Sequence, residues 1–221
     1  MPTLTMRYTG PAPVEKALRD YGCKSPFHVV RAGMMGEIIC FLTTSPLEFI
    51  DWLWDGEKPV FESEAAVKGF YGVFLGMWNH LARHQEAGRP FSFQKLPLPR
   101  SGREFREALR VRLEETIIFM DCFLPDPEDP LPGDLRSLVD EMGGYMTGLV
   151  NLAEALPEAP GEEPVAAASL AEWKRCDAGV NRLAARLVRQ AALERRAMLR
   201  NRQESAPRPE RAPLRLVKSR R

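Results

Sequence analysis

The sequence predicts an all-α protein, and three observations lead to that prediction. Very little of the 221-residue chain alternates apolar and polar residues with the period of two that a half-buried strand requires. Apolar residues recur instead every three or four positions, as they do along one face of a helix. Ser, Pro and Gly stand where helices would start and stop. We therefore expect a compact bundle of helices crossed at glycines.

The first quarter of the chain is predicted to hold two helices and a short turn. The first helix covers about 12–21. The second takes Ser25 as its cap and Pro26 as its first helical residue, and it ends before Pro46. An apolar turn, LEFIDWLW, comes next.

A third long helix is predicted to start near Ser63. Gly88 and Pro90 end it, because glycine suits a helix C-terminus and proline cannot continue the helix. The stretch FSFQKLPLP then forms an extended connector.

Ser101 and Glu104 have the spacing of a capping box, which predicts a helix from that point to about Phe123. The loop LPDPEDPLPGD follows, and its four prolines exclude helix. Another helix is expected over about 134–156.

The remainder of the chain divides by composition. Ser169 and Glu172 give a second capping box that opens a long helix. The predicted units are an acidic bundle over 1–156, a linker rich in Pro and Glu over 157–168, a basic helix over 169–203 and a basic, disordered tail over 204–221.

Glycines at helical spacing mark the predicted contacts between helices. Each glycine inside a helix costs about 1 kcal/mol relative to alanine. A compensating gain is available if the missing side chain lets another backbone approach closely. The glycines placed in this way are Gly33, Gly36, Gly69, Gly72, Gly76, Gly144 and Gly148.

No catalytic signature is present, so we expect a protein that is not an enzyme. Motifs of phosphate-binding loops, dinucleotide-binding folds and serine hydrolases are absent from the sequence. His80 and His84 share a helix face, but Leu81 stands where a zinc protease motif has glutamate. We therefore predict solvated histidines, no metal and no cofactor.

The sequence predicts a cytoplasmic protein that does not enter a membrane. No apolar run reaches the roughly 18 residues of a spanning helix. The opening MPTLTMRYTGPAP lacks the features of a signal peptide. The four cysteines include no C-x-x-C pair, which favours buried thiols in a reducing compartment.

Charge is distributed very unevenly along the chain. Residues 1–173 contain 16 Lys and Arg against 26 Asp and Glu, a net charge of −10. Residues 174–221 contain 15 against 4, a net charge of +11. Such asymmetry predicts an anionic partner or an association of the basic segment with the acidic one.

The basic helix divides into an apolar face and a set of arginines. Trp173, Val180, Leu183 and Leu187, with Cys176 between them, should dock on the body of the protein, in a seam that ends at Gln190. The predicted partner- or phosphate-binding residues are Arg189, Arg195, Arg196, Arg200, Arg202, Arg208, Arg211, Arg215, Lys218, Arg220 and Arg221.

Three interpretations of this basic segment are open. It is a solvated cluster at the end of a helix, it docks on an acidic protein surface that includes the protein's own body, or it binds the phosphates of a nucleic acid. No aromatic residue interleaves the arginines, so base stacking has no support. The first functional hypothesis is an adaptor acting through protein contacts; the second is a helical subunit of a nucleic-acid complex.

Residues 26–98 resemble the bacterial YecA-like/YgfB-like family. The resemblance rests on AGMMGEIICFLTTSPLEFIDWLWDGEKPVFES and MWNHLARHQEAGRPFSF. The family features map to Gly36, Pro46, Trp52 or Trp54, Asn79, and the connector from Phe91 to Pro97.

The resemblance implies an all-α, cytoplasmic bundle without catalytic residues. Family members with a cysteine-rich zinc module at their C-terminus are linked to secretion and chaperone machinery. Here a basic arm stands in place of that module, and FMDCFLPDPEDP occupies the place of an expected Trp-Gly-Phe pattern.

Overall fold

The computed structural model describes residues 6–40, 45–54, 56, 59–124, 131–157 and 161–205, and over these ranges the chain is all-α, as predicted. No helix within them has both the length and the apolar character needed to cross a bilayer. The helices are α1 (Pro11–Asp20), α2 (Phe27–Ile39), α3 (Pro46–Trp52), α4 (Glu64–Glu86), α5 (Gly102–Phe123), α6 (Gly133–Glu154) and α7 (Ala167–Ser205).

The helix starts predicted near Ser63 and at Ser101 are confirmed for α4 and α5. Ser63 Oγ accepts a hydrogen bond from the Ala66 amide at 3.1 Å, and Ser101 Oγ accepts one from the Glu104 amide at 3.4 Å. The Glu104 carboxylate accepts from the Arg100 amide instead of returning to Ser101, so the second half of the predicted box is displaced by one residue.

The segment predicted as an apolar turn is helix α3. Ser45 Oγ accepts from the Leu47 amide, and the Glu48 carboxylate accepts from the Ser45 amide, which together form a capping box. With Pro46 at the first helical position, this cap is sufficient to start a helix of seven residues.

Two predicted helix starts are wrong. Pro26 has extended backbone angles, φ −72° and ψ 160°, so it is the cap of α2 and no Ser25 side chain closes that end. Helix α7 begins at Ala167, which places Ser169 inside the helix. Glu172 forms an ion pair with Arg175 instead of a capping box.

The start of α7 is fixed by backbone pairing with the start of α5. The Gly102 amide donates to the Glu163 carbonyl and the Arg103 amide donates to the Gly161 carbonyl, each at 3.0 Å. These bonds hold the described part of the predicted linker against the body. Because of this pairing, helix α7 begins at Ala167, two residues before the start that the capping box at Ser169 predicted.

Helix α2 lies at the centre of the fold. It is buried on nearly every side, as expected for a helix that is apolar around its circumference, and its most extensive contact is with α5. Helices α6 and α7 form the second large pair, and α7 also contacts α2 and α4.

Glycine makes the closest of these contacts, as the sequence predicted for Gly33, Gly36 and Gly148. A β-carbon at Gly36 would lie 2.4 Å from the Phe119 carbonyl oxygen, and one at Gly148 would lie 2.8 Å from Cys176 Sγ. Gly179, which the sequence did not single out, faces the ring of Tyr145 in the same way.

Other predicted glycine contacts are wrong. A β-carbon at Gly69 or Gly144 would meet nothing within 4 Å. Gly76 does mark a close approach, but its neighbour is the backbone of Arg7 and Tyr8 and not another helix. Helical spacing alone therefore does not separate a contact glycine from an open one.

Replacing Gly69 with alanine is expected to raise the free energy of unfolding by about 0.5–1 kcal/mol. The position is inside α4, a β-carbon has open space, and alanine loses less backbone entropy on folding. Urea unfolding followed by circular dichroism measures the change. A loss of stability would show that the surroundings of Gly69 are more crowded than the structure indicates.

Candidate functional site

Helix α7 is an integral part of the core along its first half. Trp173 is edge-on to Phe105 with ring centroids 6.1 Å apart. The residues predicted to dock this helix are all buried: Trp173, Cys176, Val180, Leu183 and Leu187.

The buried face continues beyond Gln190, where the sequence predicted that it would end. Ala191 and Ala192, which follow Gln190, are also buried. Alanine has a small apolar side chain, so the spacing of large apolar residues in the sequence ends at Leu187. The helix nevertheless remains packed against the body through its alanines. Gln190 donates instead along the helix to Glu194 at 2.9 Å.

A buried ionic network holds α7 to α5. Arg112 Nε donates to Asp177 Oδ1 at 2.7 Å, and Arg112 Nη1 donates to Glu115 Oε2 at 2.5 Å. Arg112 and Glu115 are almost completely buried. The sequence carried a signal for this network, because both residues interrupt the apolar stripe of α5 at helical spacing.

The same network fixes the extended connector. Arg112 Nη2 donates to the Gln94 carbonyl at 2.8 Å, and the Gln94 amide donates to Glu115 Oε1 at the same distance. Asn181 Oδ1 accepts from the Phe93 amide at 2.9 Å. No buried side-chain nitrogen or oxygen in the described part of the chain lacks a hydrogen-bond partner.

Burial raises the pKa of Glu115 to about 7, while the charge of Arg112 and the Gln94 amide act in the opposite direction. The Glu115 side chain is completely buried, and its two carboxylate oxygens accept from the Gln94 amide and from Arg112. We therefore assign the network to positioning α5, α7 and the connector.

The opposite side of α7 carries a row of exposed arginines. We call Arg182, Arg186, Arg189, Arg196 and Arg200 the arginine face. At 3.6 residues per turn they lie within an arc of about 80°, and at 1.5 Å per residue they span about 27 Å. Leu193, 49% exposed, lies within the same arc.

The base of the arginine face is paired with α6. Arg182 and Arg186 each reach a carboxylate oxygen of Glu141 at 3.6 Å. Arg182 also donates to the Tyr145 hydroxyl at 2.9 Å. Within the described ranges, Arg189 and Arg200 make no ion pair.

Two of the predicted binding arginines contact the protein's own backbone. The Arg195 guanidinium donates to the Cys40 carbonyl, and the Arg196 guanidinium donates to the Glu86 carbonyl. Burial lowers the pKa of Arg195, which is half-buried. Helix α7 is thus fastened to the ends of α2 and α4 through carbonyl groups at these positions.

Beyond these contacts a residue in the register of the docking face is exposed. Met198 is in helical register with the buried residues Leu187 and Ala191, yet it is 44% exposed. Helix α7 continues to Ser205, two residues into the tail predicted over 204–221. The rest of that predicted tail lies outside the described residues, and so do the side chain of Arg202 and the predicted residues Arg208, Arg211, Arg215, Lys218, Arg220 and Arg221.

The histidines have partners of their own. His84 Nε2 donates to the Pro90 carbonyl at 2.9 Å, and the His80 ring lies 4.9 Å from that of Tyr8. His28 Nε2 is 3.0 Å from Glu114 Oε2. The described ranges contain no group of three or more His, Cys, Asp or Glu suited to a metal ion.

Comparison with known proteins gives no relative: no family model, no curated protein and no solved structure matches this chain, and the resemblance of residues 26–98 to the YecA-like/YgfB-like family stays a prediction.

Proposed function

We propose that this protein is a non-enzymatic adaptor whose α7 contacts an acidic surface of a protein partner. The observation that carries the proposal is the exposed Met198, which continues the register of the docking face of α7 after its last buried residue, Ala192. An apolar side chain in that register gains free energy when a second surface covers it.

The charges of the segment that includes Met198 indicate the chemistry of the partner's surface. Arg189 and Arg200 are exposed on the arginine face, on the side of α7 opposite to Met198, and the segment 174–221 carries a net charge of +11. Leu193 lies among the arginines and is half exposed. A mixture of arginines and aliphatic side chains suits a protein surface with carboxylates around an apolar centre.

A nucleic acid is the second candidate, and the regular row of arginines favours it. Charges about one helical turn apart along about 27 Å can contact successive phosphates. Leu193 and Met198 would gain nothing from a phosphate backbone. For that reason we place the protein partner first.

The proposal includes a cytoplasmic location. Cys40, Cys122 and Cys176 are buried thiols, and burial raises the pKa of Cys176 to about 11. Such thiols are compatible with a reducing compartment.

A photo-crosslinking amino acid at position 198 tests the proposal directly. We expect it to capture an acidic protein in living cells, whereas the same group at Val60, 92% exposed on another part of the body, captures none. With the captured protein purified, Met198→Asp should weaken binding about tenfold, since an apolar contact near the centre of the interface becomes a charge.

Fluorescence anisotropy with short single- and double-stranded nucleic acids provides the opposing test. Full-length protein is titrated between about 50 and 200 mM salt, because phosphate contacts give a steep salt dependence. Tight binding that Arg189→Gln with Arg200→Gln abolishes, and that Met198→Asp leaves unchanged, would replace the adaptor by the nucleic-acid interpretation.

A further inference from the structure

A cationic groove lies on the body where the chain from residue 6, the end of α4 and the start of the connector meet. Its volume is about 590 Å³, within the range of small-molecule sites. Three arginines and two histidines line it: Arg7, His80, Arg83, His84 and Arg89. None of the described residues that line it is a carboxylate.

These positive charges have no counter-ion among the described residues. Arg7, Arg83 and Arg89 form no ion pair with any described carboxylate. The surrounding segment, residues 1–173, has a net charge of −10. A concentration of uncompensated cations on an acidic body requires an explanation, and a bound anion supplies one.

The fold holds the groove in shape from two sides. Gly76 lets the backbone of Arg7 and Tyr8 cross α4 closely, since a β-carbon there would lie 3.2 Å from the Arg7 carbonyl carbon. At the other side, Gly88 with φ 66° reverses the chain after α4. That turn brings Arg89 back beside His84, whose ring is fixed by Pro90.

A smaller recess adjoins the groove and shares Tyr8, His80 and His84 with it. The recess has a volume of about 120 Å³ and a mixed lining, in which Met77 and Phe91 lie beside Arg31. The Arg31 guanidinium lies 4.7 Å above the centre of the Phe91 ring and donates to the Ser92 carbonyl. These contacts fix a further positive charge beside the recess.

The electrostatics of His80 reflect this environment. Burial lowers its pKa, and the positive charges of His84, Arg83, Arg31 and Arg89 lower it further. An anion in the groove would relieve that repulsion.

We propose that this groove binds a small molecule bearing a phosphate group, with the phosphate among Arg7, Arg83 and Arg89 and a compact apolar part toward Phe91. Guanidinium groups donate paired hydrogen bonds that match phosphate oxygens. This site is separate from the arginine face of α7, and either can exist without the other.

Isothermal titration calorimetry on the full chain tests the site with two probes, inorganic phosphate and phenyl phosphate, and with benzoate as a carboxylate comparison. We expect saturable binding of both phosphates, tighter for phenyl phosphate because its ring reaches the recess beside Met77 and Phe91, and weaker binding of benzoate. Arg83→Gln combined with Arg89→Gln should weaken phenyl phosphate binding by roughly a hundredfold, about tenfold for each lost charge-assisted hydrogen bond.

The matched control removes two arginines elsewhere. Arg19→Gln combined with Arg100→Gln changes the net charge equally but lies outside the groove and outside the arginine face, so it should leave phosphate binding unchanged. All variants change exposed side chains, and equal thermal unfolding temperatures would verify folding. The groove is excluded if neither phosphate binds, if benzoate binds as tightly as phenyl phosphate, or if the control weakens binding as much as the groove variant.

Discussion

Replacing Gly36 with alanine is expected to lower the free energy of unfolding by about 3 kcal/mol, within the range for forcing extra atoms into a packed core. The new β-carbon would lie 2.4 Å from the Phe119 carbonyl oxygen and 2.8 Å from Cys122 Cβ. The first of these atoms belongs to helix backbone and cannot rotate away. Helices α2 and α5 must therefore separate, and theirs is the most extensive helix contact in the described structure.

Urea unfolding of Gly36→Ala and Gly69→Ala, measured side by side, gives the decisive comparison. Both changes add one methyl group inside a helix, so they share the same gain in helix propensity. Only the space around the new atom differs. If both variants were stabilised, the close crossing of α2 and α5 would be contradicted.

Replacing Arg112 with methionine is expected to cost about 3–5 kcal/mol. The change leaves the buried Glu115 carboxylate without its cation and removes the bond to Asp177 that holds α7. An uncompensated charge in a protein interior is strongly destabilising. Methionine fills much of the volume of the arginine side chain, so most of the lost stability comes from the broken ion pairs and little comes from a cavity.

The destabilisation caused by Arg112→Met should be larger near pH 8 than near pH 5. Burial raises the folded-state pKa of Glu115 to about 7 from its usual 4.5, so the folded protein binds this proton where the unfolded chain has released it. Its contribution to stability therefore falls as pH rises between those values. Without Arg112 the pKa of Glu115 in the folded protein rises further, so the stability of the variant continues to fall at pH values where that of the unchanged protein no longer does.

Arg110→Met is the matched control on the same helix. Arg110 forms ion pairs with Glu107 and Glu114 at 2.6 Å, but it is exposed to solvent. Such surface pairs contribute less than about 1 kcal/mol. Equal losses for the two variants, or a loss for Arg112→Met that does not change with pH, would contradict the role given to the buried network.

Local signals in the sequence predicted helices well where a single side chain decides the end of the helix. The Ser63 hydroxyl caps α4, and Gly88 adopts the positive φ that ends it. Ser169 shows how such a signal fails. It has the residue types of a capping box, but pairing of residues 161 and 163 with the start of α5 sets the helix start two residues earlier.

Contacts between distant segments were less accessible from the sequence. Gly36 and Gly69 both stand at helical spacing from other glycines, and it is the nearness of Phe119 and Cys122 to Gly36 that distinguishes them. Arg112 and Glu115 are recognisable as charged residues on the apolar stripe of α5. Asp177, which pairs with Arg112, is 65 residues away in the sequence, so no local pattern connects the two. For the same reason nothing local indicated that Arg195 would bind the Cys40 carbonyl.

The position of Asp177 has a consequence for the order of folding during synthesis. Helices α2 and α5 can pack together once residues up to 123 have left the ribosome. Asp177, which pairs with Arg112, is synthesised later, because translation adds about 5–20 residues per second. Until α7 arrives, the nascent chain exposes the apolar surface that Trp173, Val180 and Leu187 later cover. A ribosome-bound chain ending before α7 should therefore engage chaperones, and one that includes α7 should release them.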